Sequence, residues 1–289
     1  MLSYVCSTGR GLSILKGFKV RKVLLVFLTV ISISLFGQGE ANIWYFGENA
    51  GLDFSTSPPT VIKGMSNVEG NTNLMETSAS ISDASGNFLF GINGKDIYSG
   101  DLVKRGTLPN GSYEETAQGA MIIPVPGSST EYYVTTVPRG SGCSSPSPSW
   151  LKVTIDPSIT TGNNIVSIGA ANPFPTNNVG HGQMIIPKTD AAGNPTGEHW
   201  LVNHGRNSNE FHVYDITSSG IVYNKTISNG PVMVTDCSGS DHIAYFKSNG
   251  CYNQFAYGYG DDVYLFDFDT QTGDMNYQNK TGPITQAYG

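Results

Sequence analysis

Three features of the sequence predict an all-β fold built from repeated four-stranded antiparallel units. After Gln38, helical periodicity is nearly absent and strand alternation runs throughout. The 35 glycines, with many Ser, Thr, Asn and Tyr residues, supply frequent tight-turn signals. A hexapeptide recurs: Gly119–Pro124 (GAMIIP) returns as Gly182–Pro187 (GQMIIP). Charged residues make up 13% of the 289-residue chain, whereas ordinary soluble domains run near ~25%. That deficit argues against a coiled coil, a charged helical bundle and a disordered tail, all of which depend on Glu and Lys.

Taken in order, residues 1–37 read as a secretory signal peptide. Arg10, Lys16, Lys19, Arg21 and Lys22 precede an apolar run from Val23 to Phe36, and small residues follow at Gly37 and Gly39. The apolar run spans about 21 Å as a helix, short of the ~30 Å hydrocarbon core, so contact with the membrane is expected to be transient. The basic region is long for a leader, so the true start is expected downstream of Met1. Five of the 16 basic residues lie in the leader. The body keeps 11 against 23 acidic residues, a net charge of −12. An acidic body repels phosphate backbones, which excludes nucleic acid as an expected partner.

Residues 38–289 are expected to form one β-propeller domain. Each copy of the hexapeptide is followed by a turn and an aromatic strand: Glu131–Thr136 in one, His199–Asn203 in the other. A third strand follows (Trp150–Asp156, Phe211–Ile216), then a Thr- or Ser-rich turn with Gly, then a short fourth strand (Ile165–Ile168, Ile221–Tyr223). The same grammar surrounds Ser80–Tyr98 and His242–Tyr277. Such a unit buries its apolar face only by stacking on a neighbour, which is the logic of a propeller blade. A β-sandwich is the competing architecture. The expected blades span approximately 78–105, 119–168, 182–225 and 240–280. Residues 42–63 hold three leftover short strands, and Trp44–Phe46 with Gly51 reads as the third and fourth strands of a partial unit. With four to five blades, the ring is expected to be incomplete and the chain a piece of a longer protein.

The segments Ala41–Gly47, Asn49–Phe54, Ser80–Asn87, Ile122–Pro124 with Pro126–Ser129, and Asn207–Asn209 with Phe211 carry a further likeness. Together they resemble the N-terminal propeller region of large exported proteins of Bacteroidota. In that group, similar openings precede PKD-type immunoglobulin-like domains and a gliding-motility-associated C-terminal sorting domain. The resemblance covers residues 40–289. It implies a WD40- or YVTN-like propeller, secreted or held at the cell surface, with no catalytic set to carry over.

Few residues suggest chemistry. His204, Arg206 and Asn207 sit at an expected strand end and are weak candidates for ligand binding. His199 and His204, five positions apart in an extended strand, point to opposite faces and cannot share a metal unaided. Asp267–Asp274 shares an Asp-x-Asp start with calcium loops, but its Gly falls one position late and no Glu follows. Asp83–Asn87 reads as an Asx turn. Cys237 and Cys251 are a disulfide candidate, closing a loop of about 15 residues worth roughly 3 kcal/mol. Cysteine and histidine spacing gives no metal pattern, no catalytic motif is found, and no cofactor is expected. The expected function is a non-catalytic exported module for surface binding or adhesion, recognising a protein or carbohydrate at the ring face. The alternatives are an extracellular hydrolase or lyase on a propeller scaffold, and a structural spacer of a larger surface protein.

Overall fold

The computed structural model describes residues 39–65, 76–109, 116, 118–137, 147–176, 179–233, 244–259 and 261–282. The expected leader, Cys143 and Cys237 lie outside them. Among the described residues there is no α-helix, only a 3-10 turn at Gly39–Ala41, and no helix is long and apolar enough to cross a membrane.

The strands form five antiparallel sheets that follow one another along the chain. The first holds β1 (Ile43–Phe46), β2 (Ala50–Asp53) and β3 (Thr60–Lys63). The second holds β4 (Ser78–Ser82), β5 (Phe88–Asn93), β6 (Asp96–Ser99) and β7 (Lys104–Thr107). The third holds β8 (Ala120–Pro124), β9 (Glu131–Thr136), β10 (Ser149–Ile155) and β11 (Ile165–Ile168), with β12 (Asn172–Pro173) also paired to β10. The fourth holds β13 (Val179–Thr189), β14 (Pro195–Gly205), β15 (Ser208–Thr217) and β16 (Gly220–Met233). The fifth holds β17 (Ala244–Ser248), β18 (Gln254–Tyr259), β19 (Asp262–Phe268) and β20 (Met275–Lys280). In each four-stranded sheet, consecutive strands are neighbours.

The hexapeptide copies occupy equivalent places, β8 and β13, each the first strand of its sheet. All three short strands expected in residues 42–63 form, and they form one sheet. Leu52 pairs with Trp44 on one side and Val61 on the other, so the segment holds three strands of a unit rather than two.

Alternation explains why these strands read as nearly continuous apolar runs. In the third sheet Tyr132, Val134, Leu151 and Val153 face the second sheet, while Ile123 and Tyr133 face the fourth. Successive side chains point to opposite faces, and here both faces are covered. The seam between second and third sheets is mostly aliphatic, with Phe90 against Tyr132 at 5.3 Å. The seam between fourth and fifth is aromatic, built on Phe211, Phe246, Phe255, Tyr257 and Phe266. The first sheet meets the second through Tyr45 edge-on to Phe88 and Ser80 Oγ donating to Ile43 O at 2.8 Å. Its other side stays open: Trp44 is 52% and Val61 79% exposed.

Turn chemistry fixes the register. Asp83 Oδ1 accepts the N–H groups of Ser85 and Asn87, and Gly86 takes φ 88°. Asp190–Asn194 repeats the arrangement, with Gly193 at φ 83°. These are Asx turns, as expected from the first copy. Asp267 binds the amides of Gln254 and Gln278, and Asp269 accepts N–H groups of Gln271 and Thr272. The segment that shared its start with calcium loops is thus a strand entering a hairpin.

Candidate functional site

Buried polar side chains gather at one end of the sheets, where first strands begin and second strands finish. Thr77 precedes β4 and bonds Thr116 O at 2.7 Å and Thr116 Oγ1 at 2.5 Å. Gln118 precedes β8. His181 and Gln183 lie in β13, Asn203 and His204 close β14, and Tyr257 and Tyr259 close β18. Hydrogen bonds tie these ends together. Gln183 Nε2 donates to Gln118 O at 3.0 Å, and Gln118 Nε2 donates to Phe246 O in β17 at 3.2 Å.

Close backbone approach makes this possible at Gly119. A β-carbon there would lie 2.0 Å from Thr116 Oγ1 and 2.3 Å from Thr77 Oγ1. Gly119→Ala is therefore expected to break the threonine pair and cost about 1–3 kcal/mol, an overpacking penalty, measured by urea unfolding. An unchanged midpoint would mean that the strand end is not held as tightly as this contact requires.

Alternation separates the site into two walls. His181 and Gln183 lie on the face of β13 turned toward the third sheet, as Ile185 does. His204 lies on the opposite face of the sheet, in the aromatic seam, with ring centroids 4.6 Å from Phe211, 4.9 Å from Tyr257 and 5.8 Å from Tyr259. Gly180 stands beside Tyr257, since a β-carbon at Gly180 would sit 3.3 Å from the Tyr257 hydroxyl. The phenol thus reaches the strand that carries Gln183.

Two groups here are buried without a hydrogen-bond partner among the described residues, Gln183 Oε1 and the Tyr257 hydroxyl, and the buried His204 ring has only the Ser208 backbone to bond. Buried polar atoms are nearly always paired, and an unpaired one costs about 1–3 kcal/mol. Burial, reinforced by the neighbouring His212, lowers the His204 pKa to about 3. Burial also raises the Tyr257 pKa well above its ordinary value. At neutral pH the site therefore presents a neutral imidazole, a neutral phenol and a carboxamide. Arg206, 3% exposed, is buried just beyond the end of β14. Among the described residues no three His, Cys, Asp or Glu side chains converge to hold a metal ion.

The residues singled out in the sequence fare differently. His204 is brought into the polar end and Arg206 beside it. Asn207 instead takes φ 52° in the turn joining β14 to β15. His199 stands at the other end of β14, where burial and the Lys188 charge lower its pKa. Cys251 is disulfide-bonded, and its expected partner Cys237 lies outside the described residues. Gln118, Gln183 and Tyr257 were missed. One signal was available: Gln183 replaces Ala120 at the matching position of the repeated hexapeptide.

No family model and no curated protein matches the chain. Solved structures do. A functionally unknown protein from Desulfotomaculum acetoxidans is 12% identical, with a TM-score of 0.40 over 82% of this chain and 64% of that one. A candidate 6-phosphogluconolactonase from Bacteroides fragilis is 8% identical, with a TM-score of 0.45 over 86% of this chain and 68% of that one. The periplasmic gluconolactonase of Pseudomonas aeruginosa is 12% identical, with a TM-score of 0.47 over 86% of this chain and 69% of that one. The chain thus spans about two thirds of the length of these structures. Two of the three are named as lactonases; against them the expectations of a non-catalytic binding or adhesion module and of a chain that is no enzyme are not upheld, and at these identities the names remain those proteins' own.

Proposed function

We propose that this chain is a hydrolase on a β-propeller scaffold, with its active centre at the polar end of the sheets. The reading rests on one observation: Gln183 Oε1 and the Tyr257 hydroxyl are buried there without partners, beside the buried, neutral His204 ring. Neutral donors held in a water-poor site stabilise the oxyanion that forms when water adds to an acyl carbon. An activated ester or lactone suits such a site, because His204 with a pKa of about 3 is a weak base. In this reading the Tyr257 hydroxyl donates to the developing oxyanion, the Gln183 oxygen orients the attacking water, and the buried Arg206 adds positive charge close by. Sheets stacked in chain order, each opening with an equivalent first strand, support the propeller. Export through residues 1–37 to the cell surface or beyond belongs to the same proposal, on the leader pattern alone.

The test is turnover of a panel of lactones and aryl esters by the full chain and by Tyr257→Phe, which keeps the ring and removes the hydroxyl. The expected loss is about 100-fold in kcat, the usual effect of deleting one oxyanion donor. Turnover of no ester by the parent chain, or full activity in the variant, would overturn the assignment.

A further inference from the structure

The Gln118 side chain is bonded at both of its polar atoms to one residue of a distant strand. Its Oε1 accepts the Phe246 N–H at 2.8 Å, and its Nε2 donates to Phe246 O at 3.2 Å. β17 is the edge strand of its sheet, so these two backbone groups face away from the β18 ladder, and the carboxamide completes them as a paired strand would. The Gln118 backbone carbonyl meanwhile accepts Gln183 Nε2 at 3.0 Å. Because the Gln183 nitrogen is committed to that bond, its oxygen is the buried atom left without a partner. On the other side, the Phe246 ring lies 4.3 Å from the Tyr257 ring. One residue therefore touches both walls: Gln183 directly, and Tyr257 through Phe246.

We propose that Gln118 is the positioning residue of the site, setting the Gln183 oxygen and the Tyr257 hydroxyl in fixed relation while touching no substrate itself. This rests on the hydrolase reading for its catalytic consequence, and not for its geometry. A carboxamide both donates and accepts, an ionised carboxylate only accepts, and a protonated carboxyl again does both. Gln118→Glu should accordingly clasp Phe246 in acid and release its carbonyl once ionised. Misplacement by about 1 Å costs on the order of 100-fold in rate, so kcat should carry the effect while KM stays near that of the parent.

The experiment follows the Tyr257 ring and Gln183 side-chain amide signals by NMR in Gln118→Glu across pH 4–8, alongside the ester kinetics. The expected result is that both sets of signals titrate together, and that the kcat ratio of variant to parent rises at least tenfold as pH falls. Signals and ratio that stay flat with pH would overturn the proposal. Amide exchange supplies a control in the parent chain: the Phe246 N–H should exchange slowly, and Gln118→Ala should release it. Fast exchange in the parent would also overturn the proposal. If the parent hydrolyses no ester while the signals still titrate together, the hydrolase reading fails and the positioning of the two walls by Gln118 stands.

Discussion

Phe211→Ala is expected to lower stability by about 3–5 kcal/mol, the range for deleting a fully buried aromatic ring. The ring is 0% exposed. It meets His204 at 4.6 Å, Phe266 at 4.9 Å, Tyr257 at 5.9 Å and Phe255 at 6.0 Å, in edge-to-face arrangements. Those geometries add about 0.5–1.5 kcal/mol per pair beyond area burial, and the β15 backbone keeps the neighbours from collapsing into the gap. A domain holds only about 5–15 kcal/mol in total, so this substitution removes a large share. Urea unfolding of the variant beside Trp44→Ala separates packing from mere loss of an aromatic group. Trp44 is 52% exposed and should cost far less. Equal losses at the two positions would contradict the seam as the centre of stability.

The second large effect is a pH dependence. His204 is neutral in the fold, with a pKa of about 3, against about 6.5 in the unfolded chain. As pH falls from about 6.5 toward 3, the unfolded chain takes up a proton that the folded chain refuses. Stability is thus present above the unfolded pKa and is lost in acid, at up to about 1.4 kcal/mol per pH unit for one group. His204→Phe keeps an aromatic ring among Phe211, Tyr257 and Tyr259 and removes the proton. Its stability should fall less steeply between pH 6 and 4, and run parallel to the parent above pH 7. Burial also lowers the pKa values of His199 and His212, so the variant keeps part of the acid slope. Parallel curves from pH 4 to 7 would show that His204 is not held neutral.

The sheets were legible because their cause is local. Gly119–Pro124 and Gly182–Pro187 repeat since both must open a sheet, and Asp83–Asn87 turns by hydrogen bonds within five residues. The lengths of β13 and β16 were less legible. The fourth sheet runs from Val179 to Met233, past the expected 182–225, because pairing continues wherever a partner strand does. The site was mostly hidden. Gln118 and Phe246 are bonded across 128 positions, and no local pattern announces such a pair. Tyr257 looks like any alternating core aromatic, and only its distance from hydroxyl partners in the folded seam sets it apart. His204 was noticed for its residue type, which says nothing of the burial that makes it neutral.

The tryptophans give the protein an internal spectroscope. Trp44 lies on the open side of the first sheet, whereas Trp200 is 4% exposed, with its Nε1 donating to Thr270 O at 2.9 Å across to the fifth sheet. Light emitted by Trp44 is already red in the native state, and that of Trp200 turns red only when the last two sheets part. Trp150, half-buried against Tyr133 between the third and fourth sheets, adds a second blue emitter; once it is replaced by Phe, a denaturation curve recorded at the blue edge follows the last seam separately from the rest of the chain.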